Sequence, residues 1–360
     1  MKKITKRILI TSAVMAGTGV VLMGAGMALG GWPGVVFTKA GIRSPHEQKA
    51  PYSQEKKKID PFSEINVYIG SEADVRIVSS DDKNYYIEYT LDGDYSKPKC
   101  EVKNGKLSFS QEYQDEYMTG VFGMNFGGIG TEASYVTVYI PKGTIIEHAE
   151  VYTDYGDTEW SNVNGKTVSI EGDCGDLKVK QAEISSLNLV ANDGDASIDT
   201  VKAGSLAAEF DYGDCTFRDV EGKELSIYSE CGDVELEQIS SDKITVEALD
   251  GDVLARTVSC LTADVTLEYG DFRFDAEKLE NLTCSNECGD VDLTLPEAME
   301  QYQFDLQLEY GDLSLPKDAP RDLYREEDGE VSYQTSASEK NKGKKISIVN
   351  EDGDVKVNCR

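Results

Sequence analysis

The dipeptide Gly-Asp recurs at a fixed interval of nineteen residues. It appears at Gly156, Gly175, Gly194, Gly213, Gly232, Gly251, Gly270 and Gly289, each followed by its aspartate: Asp157, Asp176, Asp195, Asp214, Asp233, Asp252, Asp271 and Asp290. With each glycine as position zero, apolar residues fall into columns at −7, −5, +2, +4 and +7. The −5 column reads Val151, Ile170, Leu189, Ala208, Ile227, Val246, Val265 and Cys284, and the +4 column Trp160, Val179, Ile198, Phe217, Leu236, Ala255, Phe274 and Leu293. Polar or charged residues mostly separate these columns, the period-two alternation of strands with one buried face. A unit this small cannot bury its own apolar face, so neighbouring units must stack. An all-β fold follows: a parallel β-helix, or β-solenoid, with 19-residue coils. At a spacing of about 4.8 Å, eight coils extend roughly 38 Å. The handedness rule for parallel crossovers makes the winding right-handed. Glycine supplies the positive φ of a coil corner, and the aspartate after it points outward by alternation.

The rest of the chain divides around this repeat. Residues 61–148 alternate apolar and polar residues and read as an N-terminal β segment leading into the solenoid. A Gly-rich interruption at 118–133 reads as a mobile or partner-facing loop. The solenoid covers 149–315, with a phase slip of three residues before Gly311-Asp312. Residues 316–345 form a polar excursion that either caps the open end or protrudes from it. Residues 346–360 supply a last coil, centred on Gly353-Asp354.

A second period overlies the first. Position −1 runs Tyr155, Cys174, Asp193, Tyr212, Cys231, Asp250, Tyr269, Cys288, so three coils make a 57-residue unit, as duplication of a three-coil block would leave. The period bears on the eight cysteines. Cys174, Cys231 and Cys288 stand three coils apart, about 14 Å, whereas a disulfide needs Cα atoms within about 7 Å. Cys215 and Cys284 fall in inward columns and read as small core residues. Mostly free thiols are expected. Cys284 and Cys288 have a CxxxC spacing with no second pair to complete a zinc site.

The N-terminus carries Lys2, Lys3, Lys6 and Arg7 before an uncharged stretch that runs from Ile8 to about Phe37. That stretch is longer than a signal-peptide core and long enough for a membrane span of about 20 residues. Residues 1–37 therefore read as a cytoplasmic tip and transmembrane signal-anchor, with "GMA" at 26–28 as a weak cleavage site in the alternative, and 38–60 as a juxtamembrane linker. The positive charges keep the N-terminus in the cytoplasm and place the remainder outside. A formal net charge of −30 argues against nucleic acid as a partner and favours cations or basic partners.

Every Gly-Asp motif carries one carboxylate before the glycine and another after it. Unit charges stacked at this spacing repel by about 1 kcal/mol in water and roughly 3–4 kcal/mol at an effective dielectric near 20. Two forms of compensation stay open. The eight aspartates from Asp157 to Asp290 could form a weak calcium ladder, using oxygens of neighbouring coils, or each could accept hydrogen bonds from nearby turn amides. The spacing fits neither a nine-residue calcium-binding roll nor an EF-hand loop. Apart from that calcium no cofactor is expected. A catalytic site should break a repeat, and this one stays regular from 149 to 293, with no Ser/His/Asp set and no P-loop. No enzyme is expected.

The basic N-terminus, the Gly-rich apolar stretch, the segment "VTVYIPKG" and the recurrent "GD" followed by alternating apolar residues resemble the "putative adhesin", or DUF4097 (β-strand repeat), family of Gram-positive bacterial envelopes. The resemblance covers about residues 60–357. It implies a right-handed parallel β-helix, a link in some members to envelope-stress systems, and no catalytic residues. The expected function is a membrane-anchored, non-catalytic binding module that engages an envelope polymer or protein. The alternatives are a structural or cation-stiffened spacer and, more distantly, a polysaccharide-acting β-helix enzyme.

Overall fold

The computed structural model describes residues 50–112 and 133–360 except Asp94, Asp318 and Asp328, together with short stretches between residues 11 and 43 and the pair 117–118. Within these, the fold is all-β apart from helical residues between 11 and 25 and two single-turn 3₁₀ segments. No helix among the described residues is long and apolar enough to cross a membrane. Most of the expected 1–37 anchor, and residues 119–132 of the expected loop, lie outside the described residues.

In the middle of the chain each coil is one long strand broken only at its Gly-Asp corner. Leu177–Asp193, Ala196–Tyr212, Cys215–Cys231, Val234–Asp250 and Val253–Tyr269 stack in parallel, with Leu177 opposite Ala196 and Leu187 opposite Leu206. Seven positions per coil point inward. Leu177, Val179, Ala182, Ile184, Leu187, Leu189 and Ala191 are all buried. Two of these columns, +9 and −3, are absent from the apolar pattern because small or polar residues interrupt them, as at Ser241, Thr153, Ser229 and Asn286, all of them buried.

A second corner lies at position +6. Asn162, Gln181, Thr200, Asp219, Gln238 and Thr257 all have φ between 52° and 59°. A left-handed conformation costs a residue with a Cβ about 1–2 kcal/mol, so parallel pairing on both sides must hold this column in place. No glycine marks it, and the sequence gives little warning of it.

The first coil lies outside the regular repeat. Glu64–Glu72 and Asp74–Ser80 pair in parallel with Ile145–Tyr155 and Thr158–Ser161, placing Val67 opposite Val151 and Ile77 opposite Trp160. Ala73-Asp74 takes the corner that Gly-Asp takes elsewhere. Lys106–Gln111 and Tyr135–Pro141 extend this end in parallel, and antiparallel strands then close it: Lys99–Lys103, Tyr85–Leu91 and Tyr52–Ile59. Tyr52–Ile59 falls in the stretch read as linker; it is instead the edge strand of this cap. Its Lys56, Lys57 and Lys58 discourage further strand addition, and Lys56 Nζ lies 3.8 Å from the Tyr139 ring centroid.

The far end departs from chain order. Lys345–Asp352 sits between Asn281–Cys288 and Gln303–Tyr310, with Ile348 opposite both Cys284 and Leu306. The segment expected as the last coil is therefore an inner one, and the coil of Gly311 lies outside it. The excursion caps this end: Tyr324–Glu327 and Glu330–Gln334 form a hairpin whose second strand pairs antiparallel with Gln303–Tyr310. The three-residue slip reflects this insertion, since the loop after Leu295 must step over a coil that the chain has not yet made.

No disulfide joins any of the eight cysteines, all of which lie among the described residues. Cys215, Cys260 and Cys284 are buried. Burial pushes the thiols of Cys260 and Cys284 up to about 12, and raises that of Cys215 as well.

Candidate functional site

The geometry of the Gly-Asp corner explains both of its residues. The corner glycines have φ from 125° to 149° between Gly156 and Gly289. A Cβ on Gly213 would also collide with the Gly194 carbonyl of the preceding coil, 2.7 Å from its carbon. Glycine is thus required by conformation and by the close approach of the next corner.

At the corner the ordinary ladder changes. Gly175 N–H donates to the Asp193 carbonyl and Leu177 N–H to the Asp195 carbonyl, both in the following coil. The amide between them turns the other way, and Asp176 N–H donates to Oδ1 of Asp157 in the preceding coil at 3.0 Å. The same bond repeats for Asp195, Asp214, Asp233, Asp252, Asp271 and Asp290 at 2.8–3.3 Å. It begins with Asp157 donating to Asp74, and continues from Asp290 through Asp354 to Asp312. Each aspartate therefore caps the corner amide of the next coil, rather than an amide of its own turn. A backbone donor left without partner at this point would cost about 1–3 kcal/mol. Oδ1 of each expected calcium ligand is committed to this ladder. Among the described residues no group of three or more His, Cys, Asp or Glu side chains is placed to hold a metal ion.

One pH effect follows. Lys178 donates to Asp176 Oδ2 at 2.9 Å and, with the Asp195 amide on Oδ1, holds this carboxyl below the usual carboxylate range. A carboxyl depressed in the folded state stabilises above its unfolded pKa, about 3.9, and loses that contribution as pH falls through the folded value. Asp176→Asn should therefore be less stable than the parent above about pH 4, with the difference closing below that pH. Urea unfolding at a series of pH values measures it.

Outside the ladder run two further columns. Position −2 carries Asp154, Asp173, Asp211, Glu230, Glu268, Glu287, Glu309 and Glu351. Ion pairs among the described residues go elsewhere, as from Lys178 to Asp176 and from Arg273 to Asp271, and none reaches these eight carboxylates. The Tyr228 phenol registers the field: partial desolvation first, then Glu230 and Glu247, push its pKa up.

Position −1 carries exposed tyrosines: Tyr155, Tyr212, Tyr269 and Tyr310 are 51–66% accessible. In chain order the Tyr-Cys-Asp period breaks after Cys288, because Tyr310 precedes Asp352. In space it does not break, since Cys288 lies opposite Asp352 and Asp352 opposite Tyr310. The stacked order is Tyr155, Cys174, Asp193, Tyr212, Cys231, Asp250, Tyr269, Cys288, Asp352, Tyr310. Duplication of a three-coil block explains the first eight members; the restored order of the last two places the period in the surface itself.

The family model described as Toastrack DUF4097 matches residues 62–214 and 199–358. No curated protein matches the chain. Among solved structures, a "putative adhesin" from Parabacteroides distasonis is 15% identical, with 68% of this chain and 97% of that one covered and a TM-score of 0.48. A "putative adhesin" from Bacteroides fragilis is 11% identical, over 87% and 98% of the two chains, with a TM-score of 0.35. A "putative lipid binding protein" from Parabacteroides distasonis is 19% identical, over 68% and 90%, with a TM-score of 0.37.

Proposed function

The chain belongs to the Toastrack DUF4097 family, and from that premise we propose a membrane-anchored, extracytoplasmic, right-handed solenoid that binds an envelope polymer or protein and catalyses no reaction. The observation that carries the reading is the outward face beside the corners, where carboxylates outside every ion pair of the described residues and exposed tyrosines repeat with the coils. A surface repeated along an axis suits a ligand that is itself extended, whereas catalysis needs one asymmetric cluster. The basic residues before the apolar N-terminal stretch support the anchor and its orientation. On this reading the family's link to envelope-stress systems would run through occupancy of that face.

The experiment is retention. Full-length protein held in neutral detergent micelles on a resin is exposed to solubilised envelope fractions. Retention of a component that is lost when Tyr155, Tyr212 and Tyr269 are changed to Ser supports the reading; equal capture by both proteins, or none by either, contradicts it. The spacer reading draws on the unbroken run of Asp-to-amide bonds, which ties the coils into one rod. Its cation-stiffened form relies on the carboxylate oxygens outside the ladder. Because each Oδ1 already has a donor, millimolar calcium is expected to leave the melting temperature where sodium chloride of equal ionic strength leaves it. A calcium-specific rise would favour the stiffened rod.

A further inference from the structure

The column of exposed tyrosines has a fixed pitch and a fixed chemical setting. Three coils separate each tyrosine from the next, about 14 Å. Each directly follows a −2 carboxylate without an ion pair among the described residues: Asp154 (which accepts a hydrogen bond from Tyr152), Asp211, Glu268 and Glu309. An aromatic residue followed through the stack by carboxylates outside any ion pair attracts a primary amine or guanidinium twice, through the ring quadrupole and through charge. Such a node disfavours an anionic polymer, and the net charge of −30 disfavours a second copy of this chain.

The pitch narrows the occupant further. An extended polypeptide rises about 3.3–3.4 Å per residue, so four residues cover roughly 13–14 Å. Residues i and i+4 of a strand also project from the same face. A basic side chain at every fourth residue would thus meet one tyrosine-carboxylate node after another. We propose that the stacked column Tyr155, Tyr212, Tyr269 and Tyr310 is a docking surface for an extended basic polypeptide segment with Lys or Arg at four-residue spacing. The proposal rests on the binding reading above and gives that ligand its chemistry. It accounts for Asp352 lying inside Tyr310: with the two coils in chain order, the fourth tyrosine would fall one coil short of the pitch.

The probes are two labelled peptides of sixteen residues with the same composition. One is Lys-Thr-Ser-Thr repeated four times; the other carries its four lysines at three-residue spacing. Binding to the full chain in neutral micelles is followed by fluorescence anisotropy at fixed salt. The four-spaced peptide should bind about tenfold more tightly, and the combined Tyr→Ser change at 155, 212, 269 and 310 should remove about that advantage while Tyr→Phe retains it. Equal affinity of the two peptides, absence of binding by either, or an unchanged preference in the serine variant would overturn the proposal. So would tyrosine-dependent capture of a neutral glycan without peptide binding. If an envelope component is retained while the peptides are not distinguished, the binding reading stands and the basic segment falls. If nothing is retained, both fall.

Discussion

Gly213→Ala is expected to destabilise the protein by about 3–5 kcal/mol, among the largest effects a single methyl group can have. The added carbon meets the Gly194 carbonyl at a corner held at φ 128°, and neither can move without shifting a coil already paired on both faces. Gly143→Ala separates the two causes. Gly143 also has positive φ, at 82°, but nothing lies within 4 Å of the position its Cβ would take. It should lose only about 1 kcal/mol, the cost of the left-handed conformation alone. Chemical unfolding of the two variants side by side tests the steric part of the account; equal losses would remove it.

Truncation after Lys344 should do more. Ile346, Ile348, Val355 and Val357 are fully buried, and at about 1.5–3 kcal/mol each their removal takes away roughly 6–12 kcal/mol of apolar burial. The consequence lies in where the damage spreads. Gln303–Tyr310 pairs in parallel with Lys345–Asp352 and not with Asn281–Cys288. The truncated chain should therefore lose amide protection across 303–334 while the coils before 281 keep theirs. Hydrogen exchange resolved by peptide reads this directly. Were the C-terminal segment the outermost coil, as chain order suggests, its removal would leave 303–314 protected.

Much of the architecture is legible in the residues, and the exceptions have physical causes. The inward columns filled by Leu, Val, Ile and Phe declare themselves; those holding Ser229, Ser241 and Asn286 do not, because a stacked coil tolerates a small or hydrogen-bonded polar side chain inside. Asn286, for example, donates from Nδ2 to the Gly289 carbonyl at 2.9 Å. The corner at Gln181 and Thr257 is hidden because neighbouring coils impose a conformation that those residues do not prefer. The first coil is hidden because Ala73 stands where the motif has glycine; its segment "EADVRI" at 72–77 otherwise parallels "YGDFRF" at 269–274. Strand order at the far end depends on which segment wins an edge, and no local pattern encodes that.

The site divides in the same way. The acidic and tyrosine columns can be read from the period alone. The partner of each corner aspartate cannot, because the amide it caps belongs to a coil nineteen residues away, brought near only by stacking. The surface order of Tyr310 and Asp352 likewise depends on where the inserted coil pairs, which no local pattern encodes.

The central claim is that the repeated aspartate caps the corner amide of the following coil, and one exchange measurement addresses it. In Asp214→Ala the amide of Asp233, which donates to Asp214 Oδ1 at 2.9 Å, loses its acceptor. In Asp214→Asn a side-chain oxygen remains to accept. The account predicts faster hydrogen exchange at the Asp233 amide in the alanine variant, near-parent exchange in the asparagine variant, and little change at Asp252, whose acceptor Asp233 is intact. Unchanged protection of Asp233 in Asp214→Ala, or loss confined to amides of residue 214's own turn, would contradict it.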